Sequence, residues 1–341
     1  MVVVAVAGGT GGVGRTVLDA IAKSGQHQAI VLSRITSVST AVDEPKRFAV
    51  DYNSVEQMKQ ILQENNVQVV VSALLLVDEA VAQSQINLIR AAAQSGTVTK
   101  FIPSEYYIDF HAPIPYVSLQ SILSRQRFSL FSISGADLFT NFQLEAEAEL
   151  ARHAQLTWTL IRVGIFLDHL TMPHNPKTTY ITPFWVFVDI DHEQCVFPGD
   201  GSQPLVLTHS QDLAAYIERL VGLPAENWPR ESVVASNKLQ VKDLESLVNK
   251  VTGKKFKFAY DSVEDIQKGH ITQLPSNTAV FQDPAKGEMF REVERQVMLS
   301  MLSGAHDLPG KNLAELFPEV QTTDIEDFFR AGWTLKQSRA S

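Results

Sequence analysis

An α/β fold, with a doubly wound parallel sheet joined to a smaller interleaved α+β lobe, is predicted by three features of the chain. Short continuous apolar runs alternate with helical patterns over the first 105 residues, as expected for strands buried on both faces and their crossover helices. The first run, Val2 to Ala7, passes directly into a glycine-rich loop and then a helical pattern. From about residue 170 the alternation lapses, with proline at 173, 176 and 183 and aromatic residues at 180, 184, 185 and 187.

Taken in order, Val2 to Ala7 is the first strand, and Val13, Val17 and Ile21 recur at helical spacing until Gly25 stops the helix. Ala29 to Leu32, Phe48 to Val50, Val67 to Val71 and Val98 to Ile102 are the next four strands. Met58 to Leu62 and Ala80 to Ala93 lie in the helices between them. Residues 136 to 154 form a helix rich in Ala, Leu and Glu, and Thr157 to Phe166 reads as a single sixth strand. Beyond it a substrate-facing lobe replaces more sheet, until Leu205 to Leu207, a helix from Ser210 to Val221 and a strand at Val233 to Ala235 restore order. A helix from Val241 to Val251 and a strand from Phe256 to Tyr260 follow. Phe281, Met289, Phe290, Val293, Val297 and Leu299 form an amphipathic, core-facing stretch. The expected division is a coenzyme domain at 1–166 and a substrate-binding lobe at 167–341, with parts of about 205–235 returning to the first sheet. Residues 117–135, with six serines, no acidic residue and no period, read as an insertion in the first domain, with a lid as the alternative.

Composition excludes several functions. Twenty-nine Lys+Arg against 38 Asp+Glu give a formal charge of −9 over 341 residues, which argues against a nucleic-acid partner. The lone Cys195 forms no intrachain disulfide and no zinc site. The run Val69 to Val77 is well short of the roughly 18 residues that cross a bilayer. No positive flank precedes the first apolar run, so the expectation is a cytoplasmic protein with no membrane partner.

The chemistry is concentrated in Gly8-Gly9-Thr10-Gly11-Gly12-Val13-Gly14. Gly9, Gly11 and Gly14 fit G-x-G-x-x-G, while Gly8, Gly11 and Gly14 fit G-x-x-G-x-x-G. In either register one glycine turns the chain, one admits a pyrophosphate and one lets the helix pack on the sheet. This is the coenzyme loop of a Rossmann-type fold, with the anion at the helix N-terminus and Thr10 placed to donate to phosphate. Arg34 ends the second strand, where an NAD enzyme carries an acidic residue for the ribose hydroxyl. A guanidinium suits a 2′-phosphate, so NADP(H) is the expected cofactor. Asp51 is a candidate for adenine contact, and Ser72 and Ala73 end the fourth strand at the nucleotide edge.

These residues resemble the NmrA-like and isoflavone-reductase-like branch of the atypical short-chain dehydrogenases. The resemblance also rests on Ser33-Arg34, on Lys100-Phe-Ile-Pro-Ser-Glu-Tyr106, and on Leu156-Thr-Trp-Thr-Leu-Ile-Arg-Val-Gly-Ile-Phe-Leu-Asp168. It implies that the nicotinamide lies beyond the fifth and sixth strands, flanked by Pro103, Ser104, Glu105 and Tyr106, with Gly164, Ile165 and Phe166 across the pocket. It places a small-molecule substrate near Tyr106, Phe166, His169, Phe184 and Trp185. The family's usual lysine falls at about Gln143 or Leu144, yet no lysine occurs between Lys100 and Lys177, and a Tyr-x-x-x-Lys pair is absent. Gln143 can hydrogen-bond the ribose but does not titrate. The remaining candidates for proton transfer are Tyr106, Tyr107 and His169. The competing reading makes Tyr106 a packing residue, Tyr107 part of a mobile loop, and His169 a positive residue paired with Asp168.

Three functions follow from this resemblance. The first is an NADPH-dependent reductase of a small conjugated or carbonyl-bearing metabolite in specialised, fungal-type metabolism. The second is a dinucleotide-sensing regulator without catalysis, which the missing lysine favours and which requires a protein partner. The third keeps the pocket for isomerisation or cyclisation without net redox change.

Overall fold

The computed structural model describes residues 1–34, 44–112 and 138–340, so the stretch 117–135 lies outside the described residues. Strand β1 (Val3–Ala7) carries five small or β-branched apolar residues in succession and feeds helix α1 (Gly12–Ser24). Gly25, at φ 64°, ends that helix in the left-handed conformation that glycine adopts without a Cβ penalty. Then come β2 (Gln28–Ser33), β3 (Lys46–Ala49), α2 (Val55–Glu64), β4 (Val69–Ser72), α3 (Glu79–Gln94), β5 (Lys100–Ile102), α4 (Leu138–Ala151) and β6 (Thr157–Trp158). Ser54 and Asp78 cap α2 and α3 by accepting from Gln57 N and Val81 N.

The six strands form one parallel sheet in the order β3-β2-β1-β4-β5-β6. Because alternate residues of a strand face opposite sides, Val4, Val6, Val31 and Val71 pack against Val17 and Ile21 of α1, while Ala5, Ala7, Ile30 and Val70 pack against Met58, Leu88 and Leu150. The chain leaves β1 in opposite directions toward β2 and β4, and a crevice opens at the carboxyl ends of those strands. Ligands bind there in open α/β sheets.

The single sixth strand expected over 157–166 is divided in three. After β6 come β7 (Leu160–Arg162) and β8 (Ile165–Phe166), each with different neighbours. The second break, between β7 and β8, falls at Gly164, at φ 69°, where a Cβ would stand 2.2 Å from the carbonyl oxygen of Val206. The amides of Val163 and Gly164 both turn inward to donate to the Tyr107 carbonyl, at 3.1 and 2.8 Å.

From β8 the chain builds β9 (Val188–Asp189), β10 (Gln194–Pro198), β11 (Pro204–Thr208), α5 (Ser210–Gly222), β12 (Glu231–Val233) and β13 (Asn237–Gln240). It continues through α6 (Asp243–Thr252), β14 (Lys257–Asp261), α7 (Gly287–Leu302), β15 (Lys311–Asn312) and α8 (Ile325–Ala340), with short helical turns between. Strand β7 pairs with β12, and β12 with β15, while β8 pairs with β11 and β11 with β13. The stretch after 170 read as lacking sheet, yet β10 is a fully buried strand between β9 and β14. Its Gln, Cys and terminal Pro mask the β signal, and the pairing that stabilises it is long-range. Phe187, Phe197, Val248, Met298, Leu299, Phe329 and Trp333 belong to the core of this lobe.

Candidate coenzyme and substrate site

At the glycine loop the two ends of the motif meet. A Cβ on Gly8, at φ 77°, would lie 2.5 Å from the Ala73 carbonyl oxygen, and one on Gly14 would lie 2.3 Å from the Gly8 carbonyl oxygen. Gly9 is only tight, with Val6 and Val31 at 3.3 Å. The spacing G-x-x-G-x-x-G therefore carries the steric requirement. Ideal Cβ positions on Gly11 and Gly12 meet no atom within 4 Å. Gly11 caps α1 without a side-chain acceptor, so the first helical amides, from Gly12 onward, have no partner within the helix, and an exposed Thr10 stands beside them. That is a cradle for a phosphate, and the residues present fit a dinucleotide.

Arg34 is exposed and is the first residue past β2. The end of β2 is fixed from two sides, since Gly8 N donates to the Leu32 carbonyl at 3.4 Å and the buried Tyr52 hydroxyl donates to it at 3.1 Å. Tyr52 was not among the expected residues, because its partner lies 20 residues away. Asp51 is exposed, and its carboxylate already accepts from the Asn53 amide and side chain at 2.9 and 3.1 Å. Arg15 is a second residue the sequence did not single out. It pairs with Asp19 at 2.8 Å and lies over the Tyr180 ring, whose hydroxyl donates to Asp19 at 2.8 Å. The segment around Tyr180 thus reaches back onto α1 beside the glycine loop.

Toward β5, Ser72 is fully buried and its carbonyl accepts from the Tyr106 hydroxyl at 2.9 Å, while Ala73 rests on Gly8. Pro103 and Ser104 follow β5, and Ser104 N donates to Gln85 Oε1 of α3 at 2.9 Å. Gln143 is 6% exposed on α4. Four buried polar atoms around this edge lack a hydrogen-bond partner: Ser72 Oγ, Gln85 Nε2, Glu105 Oε1 and Gln143 Oε1. A buried polar group without a partner costs about 1–3 kcal/mol, so such a cluster fits a site that a polar ligand completes. Gln85 was missed as a site residue, since a glutamine inside an amphipathic helix gives no local signal, while Glu105 was expected beside the nicotinamide without a role of its own.

The proton-transfer candidates are corrected by their partners. The Tyr106 hydroxyl is committed to a backbone carbonyl, and burial drives its pKa far above the ordinary phenol value, so Tyr106 packs beneath the site and does not relay protons into it. Tyr107, expected in a mobile loop, is half-buried and anchored: it bonds Ser300 Oγ at 3.0 Å and meets the His306 ring edge-on. His169 is not held positive by Asp168. That carboxylate is occupied by Ser210 N, Ser210 Oγ and Thr179 Oγ1 at 2.9, 2.7 and 2.5 Å, while His169 Nδ1 lies 2.8 Å from the Phe184 carbonyl oxygen. Burial holds the imidazole below its ordinary pKa, so Nδ1–H donates to Phe184 and Nε2 is left as an acceptor.

Of the expected substrate contacts, Phe166 is half-buried at the end of β8. Phe184 is buried, its ring against Phe281 and Phe290, and so contributes its carbonyl rather than its face. Trp185 is half-buried and pinned by Nε1 to the Met172 carbonyl at 3.0 Å. A cavity of about 410 Å³ is lined by residues including Met172, Pro173, Asn175, Thr179, Tyr180 and Ile181. Among the described residues no cluster of three or more His, Cys, Asp or Glu could hold a metal ion, and no helix is long and apolar enough to cross a membrane.

The family model described as NAD(P)H-binding matches residues 8–182. The chain is 96% identical over 340 residues to the oxidoreductase swnN of Metarhizium robertsii, covering 100% of each chain. It is 24% identical over 336 residues to an isoflavone reductase homolog, A622-like, of Nicotiana tabacum, covering 94% of this chain and 95% of that one. Among solved structures it resembles the NADPH complex of leucoanthocyanidin reductase from Vitis vinifera, with a TM-score of 0.69 at 16% identity, over 97% of this chain and 99% of that one.

Proposed function

This chain belongs to the NAD(P)H-binding, isoflavone-reductase-like family of oxidoreductases, and we propose that it is an NADPH-dependent reductase of a small conjugated or carbonyl-bearing metabolite. The observation that carries the reading is the open cradle at Gly11 and Gly12 beside Arg34, together with unpartnered buried polar atoms where the other end of the coenzyme would lie. Bound NADPH supplies hydride. The α1 amides hold its pyrophosphate, Arg34 its 2′-phosphate, and Gln143 and Ser104 its nicotinamide half. Asp51 stands at the adenine side of the same edge. Phe166, Trp185 and His169 face the substrate, with His169 Nε2 accepting from a substrate hydroxyl or amine.

In this reading the substrate lobe, which reaches α1 through the Tyr180 hydroxyl on Asp19, closes over this edge when substrate binds. A place in specialised metabolism is part of the same proposal, and the buried, free Cys195 is consistent with a cytoplasmic setting. A second reading, a dinucleotide sensor acting through a protein partner, draws on one observation: an amide at Gln143 where the family's titrating lysine is expected.

The deciding experiment follows nicotinamide absorbance and product mass while the protein is incubated with NADPH and a broad panel of unsaturated metabolites. Oxidation of NADPH coupled to a product two hydrogens heavier supports the reductase. Tight NADPH binding without consumption across the panel rejects it in favour of the sensor.

A further inference from the structure

A reduction needs a proton as well as a hydride, and the expected donors are spent: Tyr106 on the Ser72 carbonyl, Tyr107 on Ser300, and His169 through Nδ1 on the Phe184 carbonyl, while Gln143 is an amide that does not titrate. One residue at this edge is different. Glu105 follows Ser104 directly, is 3% exposed, and has a buried carboxyl oxygen, Oε1, without any hydrogen-bond partner. The charged groups that act on it are Glu147, on α4, and Arg162, on β7. Arg162 is largely engaged elsewhere, with Asp109 at 3.2 Å, Glu231 at 3.1 Å and the Pro309 carbonyl at 3.0 Å. Glu147 lies one helical turn beyond Gln143 and so on the same face of α4. Its carboxylate meets His111 Nε2 at 3.0 Å, and the His111 side chain is 52% exposed. A surface imidazole thus meets a half-covered carboxylate whose charge reaches the buried Glu105 carboxyl.

We propose that Glu105 is the proton donor of the reduction, replenished from solvent through Glu147 and His111. The proposal rests on the reductase reading above. Burial and the neighbouring Glu147 charge raise the Glu105 pKa well above the ordinary carboxylate range, which favours its protonated form. As the coenzyme's hydride forms the new C–H bond, NADPH is oxidised and the substrate reduced. The π electron pair then moves to the adjacent atom, and that atom takes the Glu105 proton, leaving a carboxylate. That carboxylate recovers its proton by way of Glu147, with the exposed His111 as the entry point.

The test has two arms. Infrared titration of the coenzyme-free protein should show an un-ionised carboxyl band at neutral pH that is lost in Glu105→Gln, with Glu294→Gln as the control for the other protonated carboxyl. Identical bands in wild type and Glu105→Gln would overturn the proposal whatever the enzyme turns over. In turnover, Glu105→Gln should keep NADPH affinity, read by fluorescence, and lower kcat by about 100-fold or more, as loss of a general acid does. Glu105→Asp should recover part of that loss, and Glu147→Gln should be slow but rescued by imidazole buffer. Unchanged kcat in Glu105→Gln overturns the donor role. A wild-type protein that binds but never consumes NADPH sinks the reductase reading and the donor role with it, even if the infrared arm finds Glu105 un-ionised.

Discussion

A side-chain carbon on Gly14 would stand 2.3 Å from the carbonyl oxygen of Gly8, so the first turn of α1 and the end of β1 touch through bare backbone. Gly14→Ala must push the helix off the sheet, and we expect it to cost about 1–3 kcal/mol of stability and to abolish NADPH binding. Gly11→Ala is the contrasting case. Its φ of −165° suits any residue and its Cβ position is open, so the melting temperature should hold while NADPH affinity falls. Thermal melts beside fluorescence titrations separate the two, and equal melting losses would show that Gly11 is a packing glycine.

Arg34→Ala tests the reading of the coenzyme. A charged hydrogen bond contributes about 1.5–3 kcal/mol, so NADPH binding should weaken roughly 10- to 100-fold with little change for NADH. Titration with both dinucleotides measures it, and matched losses would mean that Arg34 does not meet a 2′-phosphate.

The strand, loop and helix at 3–24 were legible because every requirement there is local: an apolar run, glycines at fixed spacing, and Gly25 as a stop. The division of the sixth strand at Gly164 was not, since the close approach that requires glycine involves Val206, 42 residues on. Strand β10 was hidden for the same reason. At the site, the positions of Ser72, Ala73 and Ser104 could be read from strand ends, whereas the commitments of Tyr106, His169 and Glu105 could not. Those depend on which carbonyl or charge the fold brings opposite them, such as the Phe184 carbonyl for His169.

Gln143 is buried with an unpartnered Oε1. Gln143→Met keeps the volume and removes the polar atom, so stability should be unchanged or higher while NADPH affinity falls by about 1 kcal/mol. Denaturant unfolding and coenzyme titration read the two effects independently. A loss of stability with unchanged affinity would make Gln143 structural.

His169 should bind substrate in its neutral form. Because burial lowers its pKa, KM should stay flat between about pH 8 and about pH 6, where an ordinary histidine gains its proton. His169→Leu should raise KM for hydroxyl- or amine-bearing substrates and leave NADPH affinity intact. A KM that climbs as pH falls through that range in wild type, and not in the variant, would show that the imidazole titrates there after all.

Glu294, buried on α7, has its carboxyl pushed up to about 8 by burial and by the charge of Asp261 on β14. The folded protein therefore keeps a proton that the unfolded chain releases near the ordinary value of 4.5. Stability from this group is fully present below that value and is lost progressively as pH rises through about 8. Glu294→Gln carries no such penalty, so its advantage over wild type should be absent near the unfolded pKa. It should grow with pH and reach a few kcal/mol in mildly alkaline solution, on the order set by about 1.4 kcal/mol per pKa unit. Urea unfolding of both proteins across that range measures the difference. A constant difference at all pH values would show that Glu294 is ionised in the folded lobe.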